Sequence, residues 1–385
     1  MNSLLSNLGV IYGGPSPEHD VSILTGLQVV KTLQMEKASG ISSLYWSKAG
    51  DFYLVDGNLE AKDFLFGPPP GSSLLRFQLG QEGGFLIKRG KLSAKWEPLE
   101  ISALINCCHG GPGEDGTLQG ALDLAGIKYS GPTAFGAALG MDKLAFEALM
   151  VSAGLPTLKR SVLSASGEGI DPASFVNGTL SGPGPYIVKP RYGGSSIGIE
   201  VVNDLETAIS LVKTNVHFRN GAVIEPYRPD LYDLQVAVMS WPKLKMSVIE
   251  KPLRSNRDKE ILDYMDKYAP GVGMSQAPRE IPANIDAELT DAILEAAAAV
   301  AELTELRGVA RIDFLSDSRE WFINEINTIP GSLSRHLFAE SDLQFPELLE
   351  NLAEEAIKRP TVSFSVAGSD GLVLKDATSI AAKLA

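Results

Sequence analysis

The stretch Arg311-Ile312-Asp313-Phe314-Leu315-Ser316-Asp317-Ser318-Arg319-Glu320-Trp321-Phe322-Ile323-Asn324-Glu325-Ile326-Asn327 says more about the fold than any other part of the chain. Two strand-like runs flank a polar turn at 316–320, the pattern of a β-hairpin. Strand side chains point alternately to the two faces. Arg311 and Asp313 therefore share one face, and Glu325 and Asn327 share one face of the partner strand. Two carboxylates and an amide converging this way make a hard oxygen site suited to Mg²⁺, whose remaining ligands are waters and phosphate oxygens. The competing reading is an exposed polar hairpin face. Arg311 tips the balance, because a cation beside two carboxylates suits transferring phosphate and developing negative charge.

Working outward, the hairpin follows an alanine-rich helix at 287–306 and precedes an amphipathic helix at 345–358. Upstream lie strand candidates at 222–225, 234–239 and 246–250, then a long polar loop at 251–268. Further back, Lys189 closes a strand at 186–189, and Pro190-Arg191-Tyr192-Gly193-Gly194-Ser195-Ser196 separates it from a strand at 197–202. Glycines between strands let backbone N–H groups approach phosphate oxygens, with Lys189 as a point charge. Taken alone, this loop reads more simply as a flexible connection beside a surface lysine. It matches neither the P-loop spacing nor the dinucleotide-binding glycine fingerprint. Lys143, in Gly140-Met141-Asp142-Lys143 on a helix at 141–153, reads alone as a solvated helix residue.

The chain opens as strand, turn and helix: an apolar run at 8–12, Gly13-Gly14-Pro15-Ser16-Pro17, then helical spacing over 21–33. Residues 41–100 read as an inserted β-rich excursion. The apolar run 101–108 is a buried strand followed by His109-Gly110-Gly111-Pro112-Gly113-Glu114-Asp115-Gly116 and a helix at 118–125. Strand–helix alternation suits an open parallel sheet, whose ligands sit beyond the carboxyl ends of the strands. Glu18, His19 and Ser22 on one loop and His109 on the other can then face one crevice. Glu114 and Asp115 also read as helix N-terminal charges. Three of the four histidines, His19, His109 and His336, fall in or beside glycine-rich turns.

The bulk numbers exclude several classes. With 385 residues, 44% hydrophobic and 21% charged, the chain is an ordinary globular sequence of two or three domains. A net charge of -13 argues against a nucleic-acid partner, though not against a nucleotide. The two cysteines, Cys107 and Cys108, are adjacent and read as small buried hydrophobes. No run approaches a membrane span, and no charged segment precedes an apolar one at the N-terminus, so a cytoplasmic protein is expected.

With these residues in place, the sequence resembles the D-alanine–D-alanine ligase family of the ATP-grasp superfamily from about Leu8 to about Lys358. The matching stretches, in order, are Gly13-Gly14 with Glu18-His19-Asp20-Val21-Ser22, then His109-Gly110 with Gly113-Glu114-Asp115-Gly116 and Gln119-Gly120, then Met141-Asp142-Lys143. Val188-Lys189-Pro190 with Gly194-Ser195-Ser196-Ile197-Gly198 follows, then Asp263-Tyr264 with Lys267-Tyr268. The last is Arg311-Ile312-Asp313-Phe314 with Asn324-Glu325-Ile326-Asn327-Thr328 and Pro330-Gly331.

The resemblance implies a mixed α/β chain of ATP-grasp architecture. An N-terminal open-sheet substrate domain would occupy 1–131, a central lid subdomain 132–221 and a C-terminal catalytic subdomain 222–360, with an extra tail at 361–385. It implies that Lys143, Lys189 and Lys267 contact ATP phosphates, and that Glu225 and Asp233 reach adenine and ribose, at a spacing slightly unlike the family's. Asp313, Glu325 and Asn327 would hold two Mg²⁺ ions, with Mn²⁺ as an alternate. Glu18 would receive the first amino acid's ammonium group with His109 beside it, and Ser195 and Tyr268 would join Glu18 in closing the 251–268 loop. Arg311 and the Gly331 N–H would stabilise the tetrahedral intermediate.

Leu262 stands where the family usually has an aromatic residue. His336 stands where a serine normally grips the acceptor carboxylate, so that role passes to Ser334, Arg335 or His336. Tyr268 resembles the dipeptide-forming members. The implied activity is ATP-dependent dipeptide formation from D-alanine through an acyl phosphate, for peptidoglycan precursors. A related carboxylate–amine or depsipeptide ligase with another acceptor is the alternative, and a non-catalytic ATP-binding regulator is a more distant one. The implied partners are amino acids and ATP, with neither nucleic acid nor membrane, and family habit adds a homodimer.

Overall fold

The structure is a computed structural model that describes residues 6–80, 83–90, 95–166, 169–170, 183–253, 278–359, 361 and 365–376. The strands are β1 Leu8–Gly13, β2 Ser42–Trp46, β3 Phe52–Val55, β4 Ser73–Gln78, β5 Gly84–Arg89, β6 Lys95–Pro98 and β7 Ala103–Asn106. They continue as β8 Ser161–Leu163, β9 Gly169–Ile170, β10 Tyr186–Pro190, β11 Glu200–Val202, β12 Ala222–Pro226 and β13 Tyr232–Met239. The last are β14 Lys245–Met246, β15 Lys251–Pro252, β16 Arg279–Glu280, β17 Val309–Ser316 and β18 Trp321–Asn327. The helices are α1 His19–Met35, α2 Thr117–Leu124, α3 Ala134–Met141, α4 Lys143–Ser152, α5 Leu205–Thr214, α6 Ala287–Leu303, α7 Arg335–Ala339, α8 Phe345–Lys358 and a short α9 Leu372–Asp376.

The first sheet runs β6-β5-β4-β3-β2-β1-β7. β2, β1 and β7 are parallel, and the expected β-rich excursion is the antiparallel run from β2 to β6 along one edge. α1 lies against β1 at Gly26, where a Cβ would stand 2.2 Å from the Tyr12 ring. Any side chain there would push the helix off the sheet. The far end of the chain closes the same face: Leu348, Leu349, Leu352, Ala353 and Ala356 of α8 pack into one core with α1 and with Leu8, Val10 and Ile105, while Leu118 and Leu122 of α2 cover Ile11 and Leu104 on the other face. The spacing of the α8 residues puts them on one helical stripe, the amphipathic pattern read from the sequence.

The second sheet is antiparallel, in the order β11-β10-β12-β8-β9. It contains β12, so the expected boundary between 221 and 222 is corrected: it would cut a sheet in which Lys189 pairs with Val223 and Ile187 with Glu225. The expected helix at 141–153 is also corrected. Asp142 ends α3 and caps α4, its Oδ1 accepting the Leu144 N–H at 3.0 Å, so the chain turns at that residue.

The third sheet, β14-β13-β17-β18, has α6 on one face. Ile293, Ala296, Ala297 and Val300 of α6 bury against Val236, Ile312 and Phe314, so the apolar half of the β17 alternation faces the helix and Arg311 and Asp313 take the other side. Of the expected strand at 246–250, only Met246 lies in β14, and Glu250 makes an isolated bridge with Gln235. Both cysteines are fully buried. Among the described residues, no helix is long and apolar enough to cross a membrane.

Candidate active site

Pairing β17 with β18 puts Arg311 opposite Asn327 and Asp313 opposite Glu325. The four polar side chains expected to converge do so. Arg311 grips Asp313 with two parallel bonds, Nε to Oδ1 at 2.7 Å and Nη2 to Oδ2 at 2.8 Å, and the Asn327 amide adds a bond to Oδ2 at 3.2 Å. The register slips after Asp313, so Phe314 faces Ile323 and Asn324 has no residue opposite it. That bulge turns Asn324 into the same cleft as Glu325, although strict alternation would send it to the opposite face.

The cleft lies between the second and third sheets, bounded by Lys143, Lys189, Glu225, Asp233, Asp313 and Glu325. Lys143 Nζ is 3.7 Å from Glu325 Oε2 and donates to the Gly193 carbonyl at 2.6 Å. This joins the glycine loop to the hairpin. Burial lowers the Lys143 pKa, against the pull of Glu325. Lys189 Nζ donates to Glu225 Oε2 at 2.7 Å and to Asn324 Oδ1 at 3.3 Å. Asp313, Glu325 and Asn327 fit a hard divalent ion.

Beneath the cleft lies a charge cluster that the sequence reading missed. Arg160, Glu147 and Glu225 are each no more than 1% exposed. Burial pushes the Glu225 carboxyl up, but Arg160 and Lys189 outweigh it and hold the group at about 2. Glu147 has only Arg160 at 3.7 Å and the Thr157 hydroxyl at 3.5 Å, and burial pushes it up to about 7.

A native pKa above the ordinary 4.5 means that the folded chain holds a proton the unfolded chain has lost between those values. Stability from Glu147 is therefore full below about pH 4.5 and falls as pH rises toward 7. The slope is at most about 1.4 kcal/mol per pH unit. Glu147→Gln is expected to flatten the decline in melting temperature between pH 5 and 7.5; parallel curves for the two proteins would sink the assignment.

At the other end of the cleft, β1 ends in Gly13 and Gly14, with φ of 93° and 94°, a left-handed turn that glycine makes without strain. The turn brings Glu18 to the start of α1, where its Oε1 accepts from the Ser195 hydroxyl. Two of the three residues expected to close over the first substrate therefore meet. The third, Tyr268, lies with Lys267, Leu262 and Asp263 outside the described residues. Gly110 is required here, since a Cβ would stand 2.3 Å from Glu18 Oε2.

Both ring nitrogens of His109 are engaged within the protein. Its Nδ1 donates to the Ile329 carbonyl at 2.6 Å, which leaves Nε2 to accept from Thr25 Oγ1 at 2.8 Å. Thr25 in turn accepts the Ser332 N–H at 3.1 Å. Burial lowers the His109 pKa, in keeping with a neutral ring. Glu114 reaches across in the same way, accepting from the Gly110 N–H at 2.8 Å, the Ile329 N–H at 2.8 Å and the Thr328 hydroxyl at 3.2 Å. Asp115, not Glu114, serves the local turn, by accepting the Thr117 N–H.

Thr25 of α1, with His109 and Glu114 of the second loop, thus holds the backbone of the turn that carries Gly331. The next three residues, Ser332, Leu333 and Ser334, have φ of 48°, 52° and 51°, a left-handed run costly for side-chain-bearing residues. His19 is a brace as well, between the Gly14 carbonyl and the Tyr45 hydroxyl.

The acceptor residues read from sequence separate. His336 Nε2 lies 3.0 Å from Glu250 Oε2, whose other oxygen meets Arg279 Nη1 at 2.9 Å. Burial raises the Glu250 pKa, but His336, Arg279 and Arg311 outweigh it and hold the carboxyl below its ordinary value. Ser334 Oγ is buried with no hydrogen-bond partner among the described residues. Glu225 lines the cleft as expected, yet its two oxygens are engaged by Arg160 and Lys189.

Comparison with known proteins agrees with this arrangement. Residues 7–132 match the family model described as "D-ala D-ala ligase N-terminus", and residues 149–354 match "D-ala D-ala ligase C-terminus". A D-alanine–D-alanine ligase of Campylobacter lari is 32% identical, with 90% of this chain and 92% of that protein covered. One from Thermosipho melanesiensis is 30% identical over 92% and 94%. Among solved structures, D-alanine–D-alanine ligase from Helicobacter pylori aligns with a TM-score of 0.68 at 25% identity, covering 93% of this chain and 100% of that one. VanG D-Ala:D-Ser ligase from Enterococcus faecalis aligns with a TM-score of 0.71 at 26% identity, covering 91% and 98%.

Proposed function

The chain belongs to the D-alanine–D-alanine ligase family, ATP-dependent ADP-forming carbon–nitrogen ligases, and from that premise we propose how its residues join two D-alanine molecules. The carrying observation is the register that brings Asp313 and Glu325 to one cleft with Lys143 and Lys189, with Arg311 and Asn327 hydrogen-bonded to Asp313.

Glu18, fixed by Ser195, receives the ammonium group of the first D-alanine. Its carboxylate oxygen attacks the γ-phosphorus of ATP, and ADP departs, leaving an acyl phosphate. Lys143, Lys189 and Lys267 balance the phosphate charge, and Glu225 and Asp233 serve the adenine and ribose. Asp313, Glu325 and Asn327 would hold two divalent ions, Mg²⁺ by preference, which would supply further charge neutralisation. The second amine then attacks the acyl carbon, and phosphate leaves. Arg311 and the Gly331 N–H face the oxyanion that develops. Tyr268 and the 251–268 loop exclude water from the labile acyl phosphate. The lid is the 132–221 segment, extended through β12. The product serves peptidoglycan synthesis in the cytoplasm, and the protein works as a homodimer.

The test is phosphate release with Mg-ATP and D-alanine, and mass analysis of the product. Release with D-alanine alone, together with the dipeptide mass, is expected. A second reading concerns the acceptor, because the Glu250–His336–Arg279 cluster and the unpartnered Ser334 hydroxyl are the features that would set it. D-Serine and D-lactate arms distinguish it: turnover only on adding one of these would replace D-alanine as acceptor. No phosphate release with any of them would remove the catalytic reading.

A further inference from the structure

Among the described residues, the largest fully buried side chain is that of an arginine, Arg160. Its guanidinium is tied on every side. Nε donates to Glu225 Oε1 at 2.6 Å, Nη1 to the Lys143 carbonyl at 3.3 Å and Nη2 to the Asn324 carbonyl at 2.9 Å. One residue thus links β12, α4 and β18, the three elements that frame the cleft. Glu225 consequently carries two cations, one on each oxygen, and the two differ in freedom. Arg160 is locked by backbone carbonyls. Lys189 reaches Glu225 Oε2 from the cleft side on a flexible stem.

That difference matters once a nucleotide arrives. A phosphate that takes one of the three N–H donors of Lys189 Nζ shares the ammonium charge and weakens its hold on Glu225. A carboxylate only 1% exposed cannot then be left without a partner charge, because water is not there to replace it. We propose that Arg160 is the resident counter-ion of Glu225, a positioning residue that keeps this carboxylate charged and fixed while Lys189 turns to the nucleotide phosphates. The inference rests on reading this cleft as the nucleotide site.

Glu147 fits the same assignment. Its Oε2 stands 3.7 Å from Arg160 Nε and accepts no hydrogen bond. Burial pushes this carboxyl up to about 7, so near neutrality it draws little of the arginine's charge away from Glu225.

The test compares binding of the magnesium complex of a non-hydrolysable ATP analogue by calorimetry. Arg160→Met combined with Glu147→Gln removes both charges of that pair and is expected to weaken binding about tenfold, equivalent to roughly 1.4 kcal/mol. Measured with magnesium tripolyphosphate, which has no adenine for Glu225 to contact, adding Glu225→Gln to that background is expected to restore most of the affinity, since a neutral amide needs no counter-ion when Lys189 turns to phosphate. A merely structural role for Arg160 would gain nothing from that third change.

Wild-type affinity in the double variant, or no recovery in the triple variant, overturns the proposal. If the double variant shows no thermal transition, Arg160→Lys decides. It keeps the charge and is expected to bind close to wild type, and a tenfold loss there overturns the proposal. A folded wild-type protein that binds no nucleotide would refute the nucleotide-site reading itself, and this inference with it.

Discussion

Arg311→Met lowers kcat by about 100- to 1000-fold, the scale on which removal of one preorganised donor to a developing oxyanion is felt. Two losses combine. The guanidinium no longer faces the reacting carbonyl, and Asp313, only 4% exposed, loses both of the parallel bonds that orient it. The Asn327 amide at 3.2 Å then remains to hold a carboxylate that must also serve a metal ion. Arg311→Lys restores the charge but not the fork, because a single ammonium cannot make two parallel bonds. Its kcat should recover only in part. Steady-state and single-turnover rates check this, with melting temperature as a control for folding. A methionine variant that keeps kcat within a few-fold of wild type would remove Arg311 from the chemistry.

Glu114→Ala acts on stability and rate together. The carboxylate satisfies two buried backbone N–H groups and one hydroxyl, and two of these three partners belong to the turn at 328–329. A buried donor left unmade costs about 1–3 kcal/mol, so the variant should lose on the order of 3 kcal/mol. Chemical denaturation measures that loss. The rate falls because the turn loses the grip that sets Gly331 against the left-handed run at 332–334. Glu114→Gln recovers little, because its NH₂ group would face one of the N–H donors. Stability and kcat both unchanged in the alanine variant would show that the remaining contacts, from His109 and Thr25, suffice.

The hairpin was legible in the sequence because its register follows from alternation alone, and the pairs Arg311–Asn327 and Asp313–Glu325 appear as expected. What alternation cannot reveal is a bulge. Asn324 is itself the bulged residue at a parity change that only the folded pairing discloses, and so its place in the cleft went unread. Arg160 was hidden for another reason. In Lys159-Arg160-Ser161 it looks like a solvated residue before a short strand, and its partners Glu147, Glu225 and Asn324 come from three other elements. Charge networks of this kind leave no local spacing. For His109, the sequence shows that a histidine lies near a crevice but not where its two nitrogens are spent. The division at 221/222 failed because β12 returns to pair with β10, and strand order within a sheet is not written along the chain.

The contacts that make this centre are far apart in sequence. Glu18 meets Ser195 across 177 residues, and Glu114 meets Ile329 across 215. The first strand is also backed by the helix Phe345–Lys358. A chain still emerging from the ribosome therefore has its glycine turns and lysines long before it has the hairpin that would hold metal or the turn that would face an oxyanion. The enzyme becomes competent only when its last long helix has come home to the strand that was made first.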